Sequence, residues 1–278
     1  MIDVQQVGLT IGPFEYPMHW RNIILYHLGI GFGASDLDYV YERAQGGLKV
    51  CPSYAVIPVF QPFFEILDRL KIDLSTVLHG EQAIRLHRPL PSSGKLMSTV
   101  KVAGIYDKKK AALVVLETET KDEQGDVVNE TRMSLFCRGL GGWGGDSGPK
   151  AEAVHVPRDK APDFEIAYKT SPDQAAIYRL SGDVNPLHID PQAAKAAGFP
   201  KPILHGLCTF GFATRAILAG ACAGDVGRFK GFQVRFADVV YPGETITTRG
   251  WSVGNGRYVI EAATERAVVL SHALAEVG

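Results

Sequence analysis

A carboxylate and an imidazole stand on either side of a proline turn in residues 178–211, YRLSGDVNPLHIDPQAAKAAGFPKPILHGLCTFG. Asp183 leads into Asn185-Pro186, and His188 follows. The residue before a proline is pushed out of the α region, so this stretch cannot run on as a smooth helix. The acid and the base can therefore converge on one water or one substrate proton. An imidazole, with an ordinary pKa of about 6.5, gives or takes a proton near neutrality. Asn185 can hold a water or orient a neighbour through its amide. Downstream, His205-Gly206 precedes the mostly apolar run Leu207–Leu218, which reads as a buried helix. The Gly206 N–H then lies at a helix N-terminus with no side chain in the way. Such a donor, worth roughly 3 kcal/mol, stabilises an oxygen that gains negative charge. Together these parts suit proton transfer beside a carbonyl.

Each residue also has a plainer reading. Asp183 could bond backbone amides in an Asx-turn, and His188 could be a satisfied buried histidine. The whole set, Gly-Asp-x-Asn-Pro-x-His followed by His-Gly, favours chemistry. His205 stays open between bonding the active-site loop or a ligand and capping local backbone. A metal held by Asp183, His188 and Asp190 is not expected. His188 and Asp190, two positions apart, converge poorly without a third close partner, and no HExxH or paired-cysteine motif is present. Cys208 lies near a helix N-terminus, where a thiolate is favoured, but within an apolar helix it reads as core.

The elements around the pair follow from punctuation. Ser171-Pro172-Asp173 predicts a helix start, with serine as N-cap and proline at the first helical position. That helix runs to about Ser181 and ends at Gly182, leaving Asp183 in a turn. Asp190-Pro191 starts a short helix that Gly198 ends. Phe199–Pro202 is an extended loop, and Ile203–Ala219 is the helix to be buried in a sheet, ended by Gly220.

The glycine-rich stretch 139–152, GLGGWGGDSGPKAE, reads as a linker. It separates an N-terminal domain, 1–138, from a catalytic C-terminal domain, 153–278. The halves echo each other. Tyr26-His-Leu-Gly matches Tyr178-Arg-Leu-Ser, and Pro91-Ser-Ser-Gly94 matches Pro242-Gly243-Glu244 at nearly the same distance. Strands are expected at 95–105, 111–120 and 127–137, and again at 245–253, 257–264 and 268–276. Each half thus reads as α+β, a helical front with an antiparallel sheet wrapping a buried helix, and the chain as a duplication. The first half lacks the chemical groups. Its matching stretch ends in Gly31-Phe-Gly-Ala-Ser-Asp36, with no Asn-Pro and no histidine. Its buried-helix place, Pro52–Leu67, is interrupted by Pro58 and Pro62.

With 278 residues, 46% hydrophobic and 21% charged, the chain can build a sizeable core. A net charge of −1 leaves no basic field for nucleic acid. No apolar run reaches the roughly 18 residues of a membrane span. Four scattered cysteines without CxxC spacing suggest free, buried thiols in a reducing compartment. No signal peptide and no peroxisomal Ser-Lys-Leu terminus is evident, so a cytoplasmic location is expected.

Tyr178, Leu180-Ser181-Gly182-Asp183, Asn185-Pro186-Leu187-His188 and His205-Gly206-Leu207 resemble the signature of the hydratase 2, or MaoC-like dehydratase, family. Residues 26–58 resemble the N-terminal part of its eukaryotic branch. The resemblance implies two tandem hot-dog domains in a stand-alone form, of which only the second keeps the catalytic acid and histidine. It implies reversible hydration of a trans-2-enoyl-CoA to a (3R)-3-hydroxyacyl-CoA, without metal or redox cofactor. Asp183 and His188 would activate one water, Gly206 would hold the thioester oxygen, and Asn185 and His205 would position water or substrate. The first half would accommodate a bulky acyl chain. Alternatives are a hot-dog thioesterase, a dehydratase acting on acyl-carrier-protein thioesters, and a non-enzymatic acyl-CoA-binding or scaffold subunit. A tandem chain can pair its own sheet edges as a pseudo-dimer, and a homodimer of such chains is an open expectation.

Overall fold

The computed structural model describes residues 2–150 and 153–278; Met1 and the last two residues of the expected linker, Ala151 and Glu152, lie outside the described residues. Five strands precede the linker: β1 Thr10–Pro17, β2 Val77–Leu86, β3 Lys95–Asp107, β4 Ala111–Asp122 and β5 Val127–Arg138. Five follow it: β6 Phe164–Lys169, β7 Phe229–Phe236, β8 Thr245–Ser252, β9 Arg257–Ala263 and β10 Val268–Val277. They form one 10-stranded antiparallel sheet in the order β1-β3-β4-β5-β2-β7-β10-β9-β8-β6. The order β1-β3-β4-β5-β2 in the first half recurs as β6-β8-β9-β10-β7 in the second. The duplication is therefore one of topology, and the halves meet where β2 pairs with β7, Glu81 opposite Arg235 through Arg85 opposite Gly231.

The six strands expected from sequence all form. β1, β2, β6 and β7 form in addition, and β2 alternates half-buried and buried positions along Glu81–Ile84, the period of a strand with one face on a core.

The helices are α1 Trp20–Gly29, α2 Leu37–Val40, α3 Phe60–Arg69, α4 Gln174–Tyr178, α5 Pro191–Ala196 and α6 Gly206–Gly220. From Leu207 to Leu218, every residue of α6 except Arg215 is buried. A helix apolar on all sides must lie inside. α6 starts at Gly206 and not at the expected Ile203. Pro202 disfavours an earlier turn, and the Leu204 N–H donates to Val240 O at 2.7 Å, which holds Ile203 and Leu204 extended. In the first half the central helix is broken. Pro52–Val56 forms a buried 3-10 turn, and α3 leaves it after Pro58. Pro62 interrupts nothing. It sits in the first turn of α3, where a missing N–H leaves no bond unmade.

Contacts between the halves are specific. Tyr26 and Tyr178, the matched tyrosines, pack with ring centroids 5.9 Å apart. The Gln174 amide donates to Leu28 O at 3.0 Å and Gly29 O at 2.7 Å, capping the C-terminus of α1. Its oxygen accepts from Ser171 N at 3.1 Å, one arm of a capping box. α4 itself begins at Gln174, later than the expected Pro172, and the Ser171 hydroxyl accepts from Asp173 N. Arg215 of α6 reaches Asp36 at 3.2 Å and lies over the Tyr168 ring at 4.0 Å.

The glycine-rich segment is tied down along its described part. The Asp107 carboxylate accepts from Gly142 N at 2.8 Å and Gly144 N at 2.7 Å, which holds that carboxyl below its ordinary pKa. No helix among the described residues is long and apolar enough to cross a membrane.

Buried histidines couple this fold to pH. His27 is bonded at both nitrogens, Nδ1 to Tyr39 O at 2.6 Å and Nε2 to Cys51 N at 3.0 Å. Burial pushes its pKa down to about 4. Unfolding would free it to take a proton at about 6.5. Its contribution is thus full above about 6.5 and lost as pH falls toward about 4. Urea unfolding between pH 7 and 4 should show free energy declining across that window. A flat profile would contradict this account.

Candidate active site

α4 ends in a 3-10 turn, and Gly182 then takes φ 132°, a conformation that other residues rarely adopt. A Cβ there would also meet the Phe60 ring of α3 at 2.9 Å. Glycine is thus required both by the turn and by the close approach of the first half. Asp183 follows. One of its oxygens accepts from Asn185 N at 3.2 Å, so it does form an Asx-turn. The other faces His188 Nε2 at 4.0 Å. The Asn185 side chain accepts from Leu187 N at 3.0 Å and caps the 3-10 turn Pro186–His188.

The tautomer of His188 follows from its partner. Nδ1 lies 2.9 Å from Ile203 O. A carbonyl only accepts, so Nδ1 carries the hydrogen and Nε2 keeps a lone pair. Burial lowers the pKa of this ring, outweighing the Asp183 charge and the Ile203 bond, which raise it. His188 is therefore neutral near pH 7, with its basic nitrogen facing the carboxylate. Two acceptors 4.0 Å apart are too distant for a direct bond. A single water at about 2.8 Å from each can donate one hydrogen to Nε2 and the other to the carboxylate.

Gly206 opens α6, and no side chain caps that helix end. A Cβ on Gly206 would lie 3.2 Å from the Phe236 ring, so glycine keeps this amide close to whatever fills the space below. A cavity of about 180 Å³ does lie there. Asp183, Asn185, His188 and Gly206 line it from the second half. From the first half come Phe60, Phe63 and Phe64 of α3, Leu78 and His79 of β2, and Met133 and Leu135 of β5. The second half supplies the polar groups together with apolar side chains such as Leu187, Ile203 and Leu207, and the first half supplies mostly hydrocarbon.

Two further residues of this stretch lie outside the cavity. His205 does not line the cavity. It is fully buried behind His188, with ring centroids 3.8 Å apart. Asp190 does not join the acid and histidines, because its carboxylate accepts from Gln192 N at 2.8 Å and starts α5. Asp183, His188 and His205 do bring ligand atoms within 4.8 Å of one another. Of the two His188 nitrogens, Nδ1 is engaged by Ile203 O at 2.9 Å. His205 Nε2 is also engaged by Asp183 O at 3.1 Å. Cys208 is core, its thiol bonded to Gly29 O and pushed well above its ordinary pKa by burial. Sequence reasoning missed His79 and the aromatic wall. The spacing of Phe60, Phe63 and Phe64 marks one helix face, but nothing local says that this face looks into the other half.

The model of the MFE-2 hydratase 2 N-terminal domain matches residues 14–139, and that of the MaoC like domain matches residues 154–272. A probable enoyl-CoA hydratase 2 of Dictyostelium discoideum is 38% identical over 272 residues, 95% of this chain and 92% of that protein. The chain belongs to the hydratase 2 family of MaoC-like dehydratases. Within that family, 3-hydroxyacyl-thioester dehydratase Y of Mycobacterium tuberculosis is 43% identical, over 93% of this chain and 90% of its own length. The crystal structure of a MaoC-like dehydratase from Phytophthora capsici superposes with a TM-score of 0.89 at 36% identity, covering 99% of this chain and 98% of that one. The fold is accordingly the double hot dog, each half a sheet wrapped on its central helical segment.

The acid limb of kcat/KM should report the free-enzyme pKa of this site. With His188 lowered by burial, activity is expected to stay level down to about pH 6.5 and to fall below it as the ring takes a proton. A limb centred above pH 7 would count against His188 as the neutral acceptor.

Proposed function

We propose that this protein is an (R)-specific enoyl-CoA hydratase, adding water reversibly to a trans-2-enoyl-CoA to give a (3R)-3-hydroxyacyl-CoA. The observation that carries this reading is the pair of acceptors, His188 Nε2 and the Asp183 carboxylate, 4.0 Å apart on the wall that also holds Gly206. A water held between them loses one proton to the pair as its oxygen bonds to C3. The C2–C3 π electrons move toward the thioester, whose oxygen is held by the Gly206 N–H. The pair then returns one proton to C2 as the carbonyl re-forms. Atoms and charge balance with water alone, and hydration is redox-neutral overall, so the reaction needs no oxidant or reductant. Asn185 acts by fixing the turn that aims both catalytic side chains.

The first half would house the acyl chain. Burying hydrocarbon is worth about 0.8 kcal/mol per methylene, and the wall of Phe60, Phe63, Phe64, Met133 and Leu135 supplies an apolar surface for it. Truncation by Phe63→Ala should raise kcat/KM for branched relative to straight-chain enoyl-CoAs by several-fold. An unchanged ratio would remove α3 from substrate choice.

Asp183→Asn and His188→Ala should each lower kcat by about a thousandfold, as for a lost general acid–base group, while thermal unfolding stays near wild type. The assay is absorbance-monitored hydration of an enoyl-CoA panel with chiral analysis of the product. Near-wild-type turnover in either variant would sink the dyad. Release of free CoA in place of a hydroxyacyl thioester would make the protein a thioesterase.

A further inference from the structure

His205 is buried, touches the catalytic elements from behind and has no contact with the cavity. We propose that it is the positioning residue of the dyad, fixing the Asp183 turn, the His188 ring and the Gly206 amide relative to one another. The inference rests on the Asp183–His188 reading above and extends it to a residue that never meets substrate.

Three contacts carry it. The ring nitrogen Nε2 lies 3.1 Å from the main-chain oxygen of Asp183. That oxygen can only accept, so Nε2 is the protonated nitrogen and the bond holds the peptide from which the catalytic carboxylate hangs. The ring itself stacks on His188 at 3.8 Å with planes 30° apart. His188 is thereby held from its face by His205 and from its edge by Ile203 O. Finally, the carbonyl of His205 accepts from Cys208 N and Thr209 N, each at 3.1 Å. The same residue therefore begins the helix that presents Gly206.

The bond from Nε2 to Asp183 O shows why a histidine is there. The other nitrogen, Nδ1, is buried with no hydrogen-bond partner among the protein atoms. Leaving a buried acceptor unpaired is unfavourable, and a phenylalanine would stack equally well without it. The nitrogen that faces Asp183 O is the part of the ring that phenylalanine lacks. The groups around the ring also suit a neutral occupant. Arg179, His188 and the backbone of Asp183 surround it, and the Tyr178 ring lies 4.9 Å away. Burial, with His188 and Arg179 adding to it, keeps His205 from taking a proton under any ordinary condition. A second positive charge beside His188 would oppose the proton that His188 must accept. A neutral donor avoids this.

Two variants separate the stacking from the hydrogen bond. His205→Phe keeps a flat ring against His188 and removes the donor. His205→Gln places an amide N–H where Nε2–H stood. His205→Phe is expected to lower kcat about a hundredfold, the cost of a misplacement of about 1 Å, with KM within about threefold of wild type. His205→Gln should recover kcat to within about tenfold of wild type. Wild-type kcat in His205→Phe, a Gln variant no better than Phe, or a loss carried by KM would each overturn the proposal. Should either variant fail to fold, nitrogen-15 NMR of the wild-type imidazoles decides instead. The expected result at pH 7 is neutral His205 protonated at Nε2 and neutral His188 protonated at Nδ1; His205 protonated at Nδ1 overturns the proposal. Loss of activity in Asp183→Asn with full activity in His205→Phe would reject this inference alone. Full activity in Asp183→Asn would instead reject the dyad on which it stands.

Discussion

The pairing of β2 with β7 joins two five-strand sheets into one, and the site depends on that seam. Backbone pairing from Glu81–Arg235 to Arg85–Gly231 sets the register. A slip of one residue would turn every side chain of β2 to the opposite face. His79 would then leave the cavity, and Phe236, whose ring meets that of His79 at 4.8 Å, would lose its neighbour. Phe236 is also the ring that packs over Gly206. The placement of the amide proposed to hold the thioester oxygen is thus tied, through two aromatic rings, to a strand of the other half. The Glu81–Arg235 ion pair at 2.8 Å marks the same register, but as a half-exposed pair it adds at most about 1 kcal/mol. Backbone bonding and the apolar core across the seam dominate.

The two halves share a topology and differ in what occupies corresponding places. In the second half, residues 183–188 present an acid and a base to open space. In the first, the stretch that ends at Asp36 is filled. Arg215, from the central helix of the second half, reaches Asp36 and lies over Phe32 and Tyr168. The place that corresponds to a catalytic turn has become an internal contact between halves. The central helices diverged in the same sense. α6 is continuous and, apart from Arg215, buried from Leu207 to Leu218. Its counterpart breaks after Pro58, and α3 swings out to lay Phe60, Phe63 and Phe64 along the cavity. Breaking one helix made a wall for the other half's chemistry.

Much of this was legible in the chain. Gly182, Asn185-Pro186, Asp190-Pro191 and Gly198 are punctuation with local causes, so the turns around Asp183 and His188 could be placed without any tertiary knowledge. The long strands after each proline-glycine turn carried their own β-forming residues and hairpin turns. β2 and β7 were harder to see. Each follows its half's central helical segment, and neither is bounded by a hairpin turn. The start of α6 also escaped local reasoning, because the Leu204 N–H is taken by Val240 O, a residue distant in sequence.

His205 shows where sequence reasoning stops. Its neighbours in the chain allowed a ligand contact, a loop contact or a cap, and all three are compatible with a histidine before a helix. Only the fold turns its ring away from the cavity and stacks it on His188. The sequence by itself determined the chemical groups, the turns that display them and the repetition of the fold, because each rests on residue type and short-range backbone preference. Tertiary structure alone decided which side chains face the same space. That outcome depends on strand register across the β2–β7 seam and on contacts between residues far apart in the chain, and no local preference specifies either.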